Sequence, residues 1–447
     1  MVQKSFSVIL NSKIKSFNKK IFVDSDKSIS IRSFLIGSIC NKVSTVRNVL
    51  ESDDVYSTIS CLKKLGVKIK KVSPKKYNIF GKGLGSLFIN KNRELNFGNS
   101  GTLARLLIGI LSTTPNINIK MRGDHSLNKR SMKKLILLMR KFGALFLPQN
   151  KYHFPLRLIS SKWPIQISYE SGISAQLKSS VILAGLNANG TTKIIERIPS
   201  RNHTENMLSK NNKVIQIKKK NKTINIVGKK FLEPLNISVP GDPSAAAFIA
   251  ALALLNSNSS ILIRNVGLNS TRIGFYKILK KQGAKINFKN IKKKNSEIVG
   301  DIFVRSCKLK PIKASKKYYV NMTDEYPILF IIASLTKGTS VFSGIEDLAN
   351  KESNRISEMQ NILNQIGIKS SYYKNKLKIF GKNKEDIKKK KIKVEKLGDH
   401  RICMSSFVLS LLIGADTHIK NFDTVFTSSP SFLKIMKNLG ADFEIKK

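Results

Sequence analysis

Acidic residues are scarce in this chain: 28 Asp and Glu stand against 80 Lys and Arg, for a formal net charge of +52. A field this positive attracts anions, and nucleic acid is the first partner to weigh. The cations, however, are 65 lysines and 15 arginines spread along the whole length, and no basic stripe is interleaved with aromatics. Lysine-rich runs such as KKKNKT (218–223) and IKKKKIK (387–393) read as solvated hairpin or loop segments. The rare arginines are therefore the informative cations. Cysteine is scarcer still. Cys40, Cys61, Cys307 and Cys403 lie far apart with no CxxC, which fits buried reduced thiols better than a disulfide framework or a metal cluster. Long apolar runs are missing: FIAALALL (248–255) and SFVLSLLIGA (406–415) fall well short of the roughly 20 residues a membrane span needs. No signal-peptide pattern is visible, so a cytoplasmic protein away from membranes is expected. P-loop, G-x-S-x-G and HxxxH patterns are all lacking, so neither ATP hydrolysis, a nucleophilic serine nor a metal site is expected, and no organic cofactor motif appears.

What is present is a repeat. A short β-like run, a polar turn, an amphipathic helix and a G-[AV]-x-[IFL]-like ending recur six times, starting at 46, 121, 194, 263, 342 and 419. That period exceeds those of common solenoids, so each repeat reads as a small α/β subdomain. Before each lies a second helix that is apolar nearly all round, and so destined for burial. The six are SISIRSFLIGSI, GTLARLLIGIL, SAQLKSSVILAGL, PSAAAFIAALALL, EYPILFIIASL and HRICMSSFVLSLLIGA. Each starts in a polar cluster: DKS, GNSG, SGISAQ, PGDPS, TDEY or GDH. Asp242-Pro243 reads as an N-cap followed by proline at the first helical position. A helix N-terminus leaves unpaired N–H groups and a positive dipole end, so several aimed at one cleft would hold phosphate or carboxylate. Three repeats precede the linker SVPGDPS (238–244) and three follow it. The expected division is an N-terminal domain over 25–239 and a C-terminal domain over 240–447, with the first strand (within 1–24) packing on the latter.

The candidate functional residues gather at these helix starts. Lys27, Ser28 and Arg32 open the first. GNSGT (98–102) brings two glycines around Asn99 and Ser100, with Arg105 a turn later, and GKGLG (81–85) is expected to be only a hairpin turn. Lys129 and Arg130 are expected at the start of the second amphipathic helix. Ser174, Gln176 and Lys178 open the third buried helix, and Arg201 follows in a turn. The C-terminal half adds acids: Asp324 and Glu325, then Lys351, Glu352 and Arg355, then His400 and Arg401. Lys351 and Arg355 are expected one helical turn apart on one face. Cations for two or more anionic groups, with acids able to move protons, suggest transfer chemistry on a small phosphorylated or carboxylated substrate.

The runs DKSISIR, GNSGT, the KR pair at 129–130, SAQLKSS, DEYP, KESNR and GDHR, in this order and spacing, resemble the 3-phosphoshikimate 1-carboxyvinyltransferase family over nearly the whole chain. The resemblance implies a two-domain inside-out α/β barrel of the enolpyruvyl transferase type. Six βαβαββ-type subdomains, three per domain, would close like a hinge over the substrates. It implies transfer of the enolpyruvyl group of phosphoenolpyruvate to the 5-hydroxyl of shikimate 3-phosphate, by a monomer that needs no cofactor. Ser28, Arg32, Ser174, Ala175, Arg201, Asp324 and Lys351 would then surround shikimate 3-phosphate. Lys27, Asn99, Gly101, Arg130, Gln176, Arg355 and Arg401 would surround phosphoenolpyruvate. Asp324 would assist the 5-hydroxyl, Glu352 would handle the proton at C3, and Lys27 would stabilise charge or pass a proton. Two positions depart from the family's pattern: Ser131 stands where many relatives have proline after KR, and Thr427 where many have lysine. Glycine at 101, where glyphosate-tolerant relatives can carry alanine, implies sensitivity to that inhibitor. The nearest rival is the enolpyruvyl transferase acting on a UDP-amino sugar, whose mobile-loop cysteine has no counterpart near 115–131. A nucleic-acid-binding protein is the other, supported by charge alone.

Overall fold

The computed structural model describes residues 5–89, 94–218, 220–388, 391–395 and 397–446. Lys219, Lys389 and Lys390, in the two lysine-rich runs, lie outside them. The backbone divides into two units. The first comprises Ser25–Val239 with Lys294–Glu297; the second comprises Met1–Asp24, Pro240–Lys293 and Ile298–Lys447.

Each unit is built around three helices that carry almost no polar face. In the first these are α1 (Lys27–Ile39), α2 (Gly101–Thr113) and α3 (Ala175–Gly185). In the second they are α4 (Pro243–Leu255), α5 (Tyr326–Ser334) and α6 (His400–Ile413). All residues of α6 are buried, as are those of α4 up to Leu254. The buried serines of α1 have partners: Ser33 donates to the Ile29 carbonyl at 2.6 Å and Ser38 to Leu35 at 2.7 Å. Glycine permits the closest crossing. A Cβ on Gly109 of α2 would lie 2.6 Å from the Ser180 carbonyl oxygen of α3.

Around these helices stand six four-stranded sheets among the described residues. Chain order within one repeat is strand, buried helix, strand, outer helix, then a hairpin. In the second repeat this runs Glu94–Asn96, α2, Asn118–Arg122, the helix Lys133–Lys141, Leu145–Leu147 and Leu156–Ile159. The first two strands pair parallel and the hairpin adds antiparallel strands. Two exchanges close the set. The strand Asn18–Phe22, just before α1, pairs in parallel with 260–264, while Asn236–Ser238, just before α4, pairs in parallel with 45–47. In the last repeat Ser7–Leu10 stands between Asp416–Ile419 and Glu444–Lys446, antiparallel to both.

Three local expectations are corrected. GKGLG forms no hairpin: it lies after the strand Lys76–Phe80, where a Cβ on Gly81 would lie 2.1 Å from the Cys40 carbonyl, and the next described strand, Glu94–Asn96, belongs to a different sheet. Residues 391–394 of the second lysine run are a strand paired with 416–419, because Ile392 and Val394 alternate into the core. Lys129 ends a short helix (His125–Lys129) and Arg130 caps it, so neither starts Lys133–Lys141. Ser131 accepts from the Lys133 N–H at 3.3 Å in the joint between the two helices.

Candidate active site

Five of the six buried helices are capped by a side chain, which fixes where each helix starts. Asp26 accepts from Ile29 N–H at 2.8 Å, Ser100 from Leu103 at 3.3 Å and Ser174 from Leu177 at 3.4 Å. Asp242 accepts from Ser244 at 2.8 Å and Asp399 from Arg401 at 2.9 Å. Gly101 and Ala175 are the first residues of α2 and α3. Neither side chain can bind an anion, so their contribution is backbone N–H at a positive helix end.

In the first unit the predicted residues fall into two connected groups. One is centred on Arg32, which is buried on α1. Its Nε donates to Thr204 Oγ1 at 3.0 Å, one Nη to Ser179 Oγ at 3.2 Å and the other to the Ser28 carbonyl at 3.2 Å. The guanidinium is thus held in one plane beside Ser28. Lys27, one residue earlier, lies 3.0 Å from the largely buried Asp54. The second group joins α2 to α3. Gln176 accepts from Arg105 Nη1 at 3.0 Å and donates to Thr102 Oγ1 at 3.0 Å, while Arg130 donates to Asn99 at 3.3 Å. A Cβ on Gly101 would lie 2.7 Å from Arg105 Nη1 and 3.1 Å from Arg130 Nη1, so two guanidinium groups face that glycine. Arg201 is half-buried in the turn before the helix His203–Leu208. Lys178 does not open onto a site. It is 0% exposed and sits between Glu196 at 2.5 Å and Glu205 at 2.6 Å.

In the second unit the centre is Arg355, which is 1% exposed. Its Nε donates to Asp399 at 2.9 Å and its Nη2 to Glu352 at 2.7 Å, and Nη1 lies 3.8 Å from Asp324. Burial opposes the charge, but Asp399 and Glu352 outweigh it and hold the guanidinium well above its ordinary pKa. Lys351 and Arg355 do not share a helical face, because the helix begins only at Arg355 and Lys351 is extended. Lys351 instead reaches Asp347 at 2.6 Å, and Asp347 accepts from Tyr319 at 2.7 Å. Arg401 is buried at the first turn of α6, with its guanidinium over the Phe248 ring at 5.7 Å. Beside Asp324, Glu325 is buried and accepts from Ser244, which also accepts from Arg272 at 3.0 Å. Thr427 donates to the Thr424 carbonyl at 2.8 Å.

Sequence reasoning passed over Asp399 and the Thr204–Ser179 pair. Asp399 carried a signal, standing in GDHR just before two named residues, but its capping role hid its second role as the partner of Arg355.

The two α/β units carry rare arginines near helix starts and acids held beside a buried guanidinium, an arrangement suited to a transferase acting on small anionic substrates. A family model described as EPSP synthase (3-phosphoshikimate 1-carboxyvinyltransferase) matches residues 12–436. A 3-phosphoshikimate 1-carboxyvinyltransferase of Zymomonas mobilis is 36% identical over 442 residues, covering 98% of this chain and 97% of that one. The solved EPSP synthase of Acinetobacter baumannii superposes with a TM-score of 0.84 at 32% identity, covering 99% of this chain and 100% of that one. The enolpyruvyl transferase NikO of Streptomyces tendae, at 12% identity and a TM-score of 0.77, shares the fold. The chain belongs to the EPSP synthase family, and the expected enolpyruvyl-transferase fold is the observed one.

Proposed function

We infer that the two sets of helix starts hold phosphoenolpyruvate and shikimate 3-phosphate for the reaction of the family. The enolpyruvyl group passes to the 5-hydroxyl of shikimate 3-phosphate, giving 5-enolpyruvylshikimate 3-phosphate and phosphate. Ser28, Arg32, Ser174, Ala175, Arg201, Asp324 and Lys351 are assigned to shikimate 3-phosphate. Lys27, Asn99, Gly101, Arg130, Gln176, Arg355 and Arg401 are assigned to the phosphate and carboxylate of phosphoenolpyruvate.

The chemistry is two proton-coupled steps. In the addition, the 5-hydroxyl oxygen bonds to C2 and gives up its proton toward Asp324, while C3 gains a proton from Glu352. In the elimination C3 returns that proton, the double bond re-forms and the C–O bond to phosphate breaks. Lys27 offsets the charge that develops at the phosphate. One observation carries this reading: Arg355, fixed by Asp399, contacts Glu352 and lies 3.8 Å from Asp324, so a guanidinium and two proton-transfer acids share one polar cluster. An acid oriented by a fixed guanidinium is placed to exchange a proton with the substrate.

Four free cysteines, three of them buried, suit a reducing compartment, and the reading extends to a monomer working in the cytoplasm. Phosphate release from phosphoenolpyruvate tests it, with shikimate 3-phosphate and UDP-N-acetylglucosamine offered separately. Release is expected with the first acceptor alone. Turnover with the UDP-sugar alone would overturn the assignment.

A further inference from the structure

The cluster around Lys178 lies outside the residues assigned to substrates, yet it is built from fully buried charge. Lys178 on α3 is 0% exposed and Glu205, on the helix His203–Leu208, is 1% exposed. The ammonium lies 2.6 Å from Glu205 and 2.5 Å from Glu196, and also donates to the Ser200 carbonyl at 3.4 Å. Glu196 in turn accepts from the Ser200 N–H at 2.9 Å and the Ser200 hydroxyl at 3.1 Å. The segment 196–205 is therefore tied to α3 at both ends and at Ser200, the residue before Arg201.

The next residue on each side of the seam carries a second tie. Ser179 follows Lys178, Thr204 precedes Glu205, and the Thr204 hydroxyl donates to Ser179 at 2.9 Å. These two hydroxyls are the ones that accept from Arg32, at 3.0 Å and 3.2 Å. One seam thus fixes the backbone on which Arg201 stands and the acceptors that orient Arg32. A buried ion pair is a poor source of net stability, because desolvation offsets most of the Coulomb gain; its best use is to select one arrangement. Three ionisable side chains, two of them almost fully buried, meet at this seam. That is a costly way to fill a core unless the geometry it fixes matters.

We propose that Lys178, Glu196 and Glu205 are positioning residues for shikimate 3-phosphate: their ionic clamp presets Arg201 and Arg32 before the substrate arrives. This rests on the assignment of those two arginines to that substrate. Removing the clamp should act on one substrate more than the other, since Asn99 and Arg130 are held by separate bonds.

The test is calorimetric binding of shikimate 3-phosphate to the full chain, with steady-state constants for both substrates. Three variants are compared: Lys178→Met with Glu205→Gln, Glu205→Gln alone and Arg201→Ala. The double variant removes one charge of each sign and leaves Glu196 on Ser200, so the core keeps its balance. The expected result is shikimate 3-phosphate binding about tenfold weaker, the size of one charged hydrogen bond, with KM for phosphoenolpyruvate nearly unchanged. A fourth variant, Lys178→Arg, which keeps the cation, should bind shikimate 3-phosphate more tightly than the double variant. Should the double variant fail to fold, Glu205→Gln alone carries the same expectation. A folded clamp variant with wild-type affinity, or with both KM values raised alike, overturns the proposal. If Arg201→Ala also binds normally, the assignment of Arg201 to the substrate fails with it. If Arg201→Ala binds weakly while the clamp variants do not, the clamp alone is wrong.

Discussion

Replacing Asp399 with asparagine should damage both stability and turnover, and the geometry gives the size of each effect. Asparagine has the shape of aspartate and caps helices equally well, so α6 keeps its start. What disappears is the charge that receives Arg355 Nε at 2.9 Å and Nη2 at 3.3 Å, together with an acceptor for the Ser353 hydroxyl at 3.1 Å. Removing one partner of a buried pair costs about 3–5 kcal/mol when the other charge is stranded. Here Glu352 at 2.7 Å and Asp324 at 3.8 Å remain, and three carboxylates around one cation repel one another. The loss should therefore be smaller, about 2 kcal/mol, or a fall in Tm of roughly 4–8 °C for a unit of this size. Freed from Asp399, the guanidinium turns toward Glu352 and Asp324, and a displacement of about 1 Å is worth about a hundredfold in rate. Differential scanning calorimetry and the phosphate-release assay read the two effects. Asp399→Ala should cost about 1 kcal/mol more through the lost cap. A variant Asp399→Asn with wild-type kcat/KM for phosphoenolpyruvate and an unmoved Tm would refute the claim that Asp399 positions Arg355.

Other perturbations give separate checks. Gly101→Ala places a methyl group against Arg105 and Arg130, so KM for phosphoenolpyruvate should rise by about tenfold, the size of one displaced charged contact, with KM for shikimate 3-phosphate nearly unchanged. The unaltered enzyme should be inhibited by millimolar glyphosate at modest phosphoenolpyruvate, and a rate that ignored it would contradict this. Asp324→Ala should lower turnover by roughly 10²–10⁴ while leaving the thermal melt intact, since the residue is half-buried at a helix mouth. Burial pushes the Cys40 and Cys61 thiols from 9.0 up to about 12. The folded state then holds protons that the unfolded chain releases above pH 9, so stability is complete below that pH and falls as pH rises toward 12. Between pH 8 and 10 the loss is about 1.4 kcal/mol per thiol, measurable by urea unfolding and reduced in Cys61→Ala.

The legible part of this molecule was what neighbouring residues write together. An apolar helix with an Asp or Ser just before it declares its burial and its starting point at once, and Asp26, Ser100, Ser174, Asp242 and Asp399 all cap as such a pattern demands. The sixth, Glu325, bends away from its own helix because Ser244 offers it a hydroxyl from 81 residues away. Partnerships of that kind leave no periodic trace. Lys178 looked like another helix-start cation until two glutamates, 18 and 27 residues on, enclosed it. Lys351 and Arg355 carried helical spacing, but the helix begins only at the second of them.

The two kinds of helix start differ in how their cations are held, and this bears on mechanism. Arg32 donates to two hydroxyls and a carbonyl, Arg105 to the Gly101 carbonyl and Gln176, and Arg130 to Asn99. Arg355 meets three carboxylates, those of Asp324, Glu352 and Asp399. A guanidinium bonded to acids orients them for proton transfer. On the proposed assignment Arg355 both meets phosphoenolpyruvate and sets Glu352 and Asp324 for proton transfer, while Arg32 and Arg130 each meet one substrate. Raising the ionic strength should raise KM for both anionic substrates by screening the cations assigned to them, and leave the pH profile of kcat where it was.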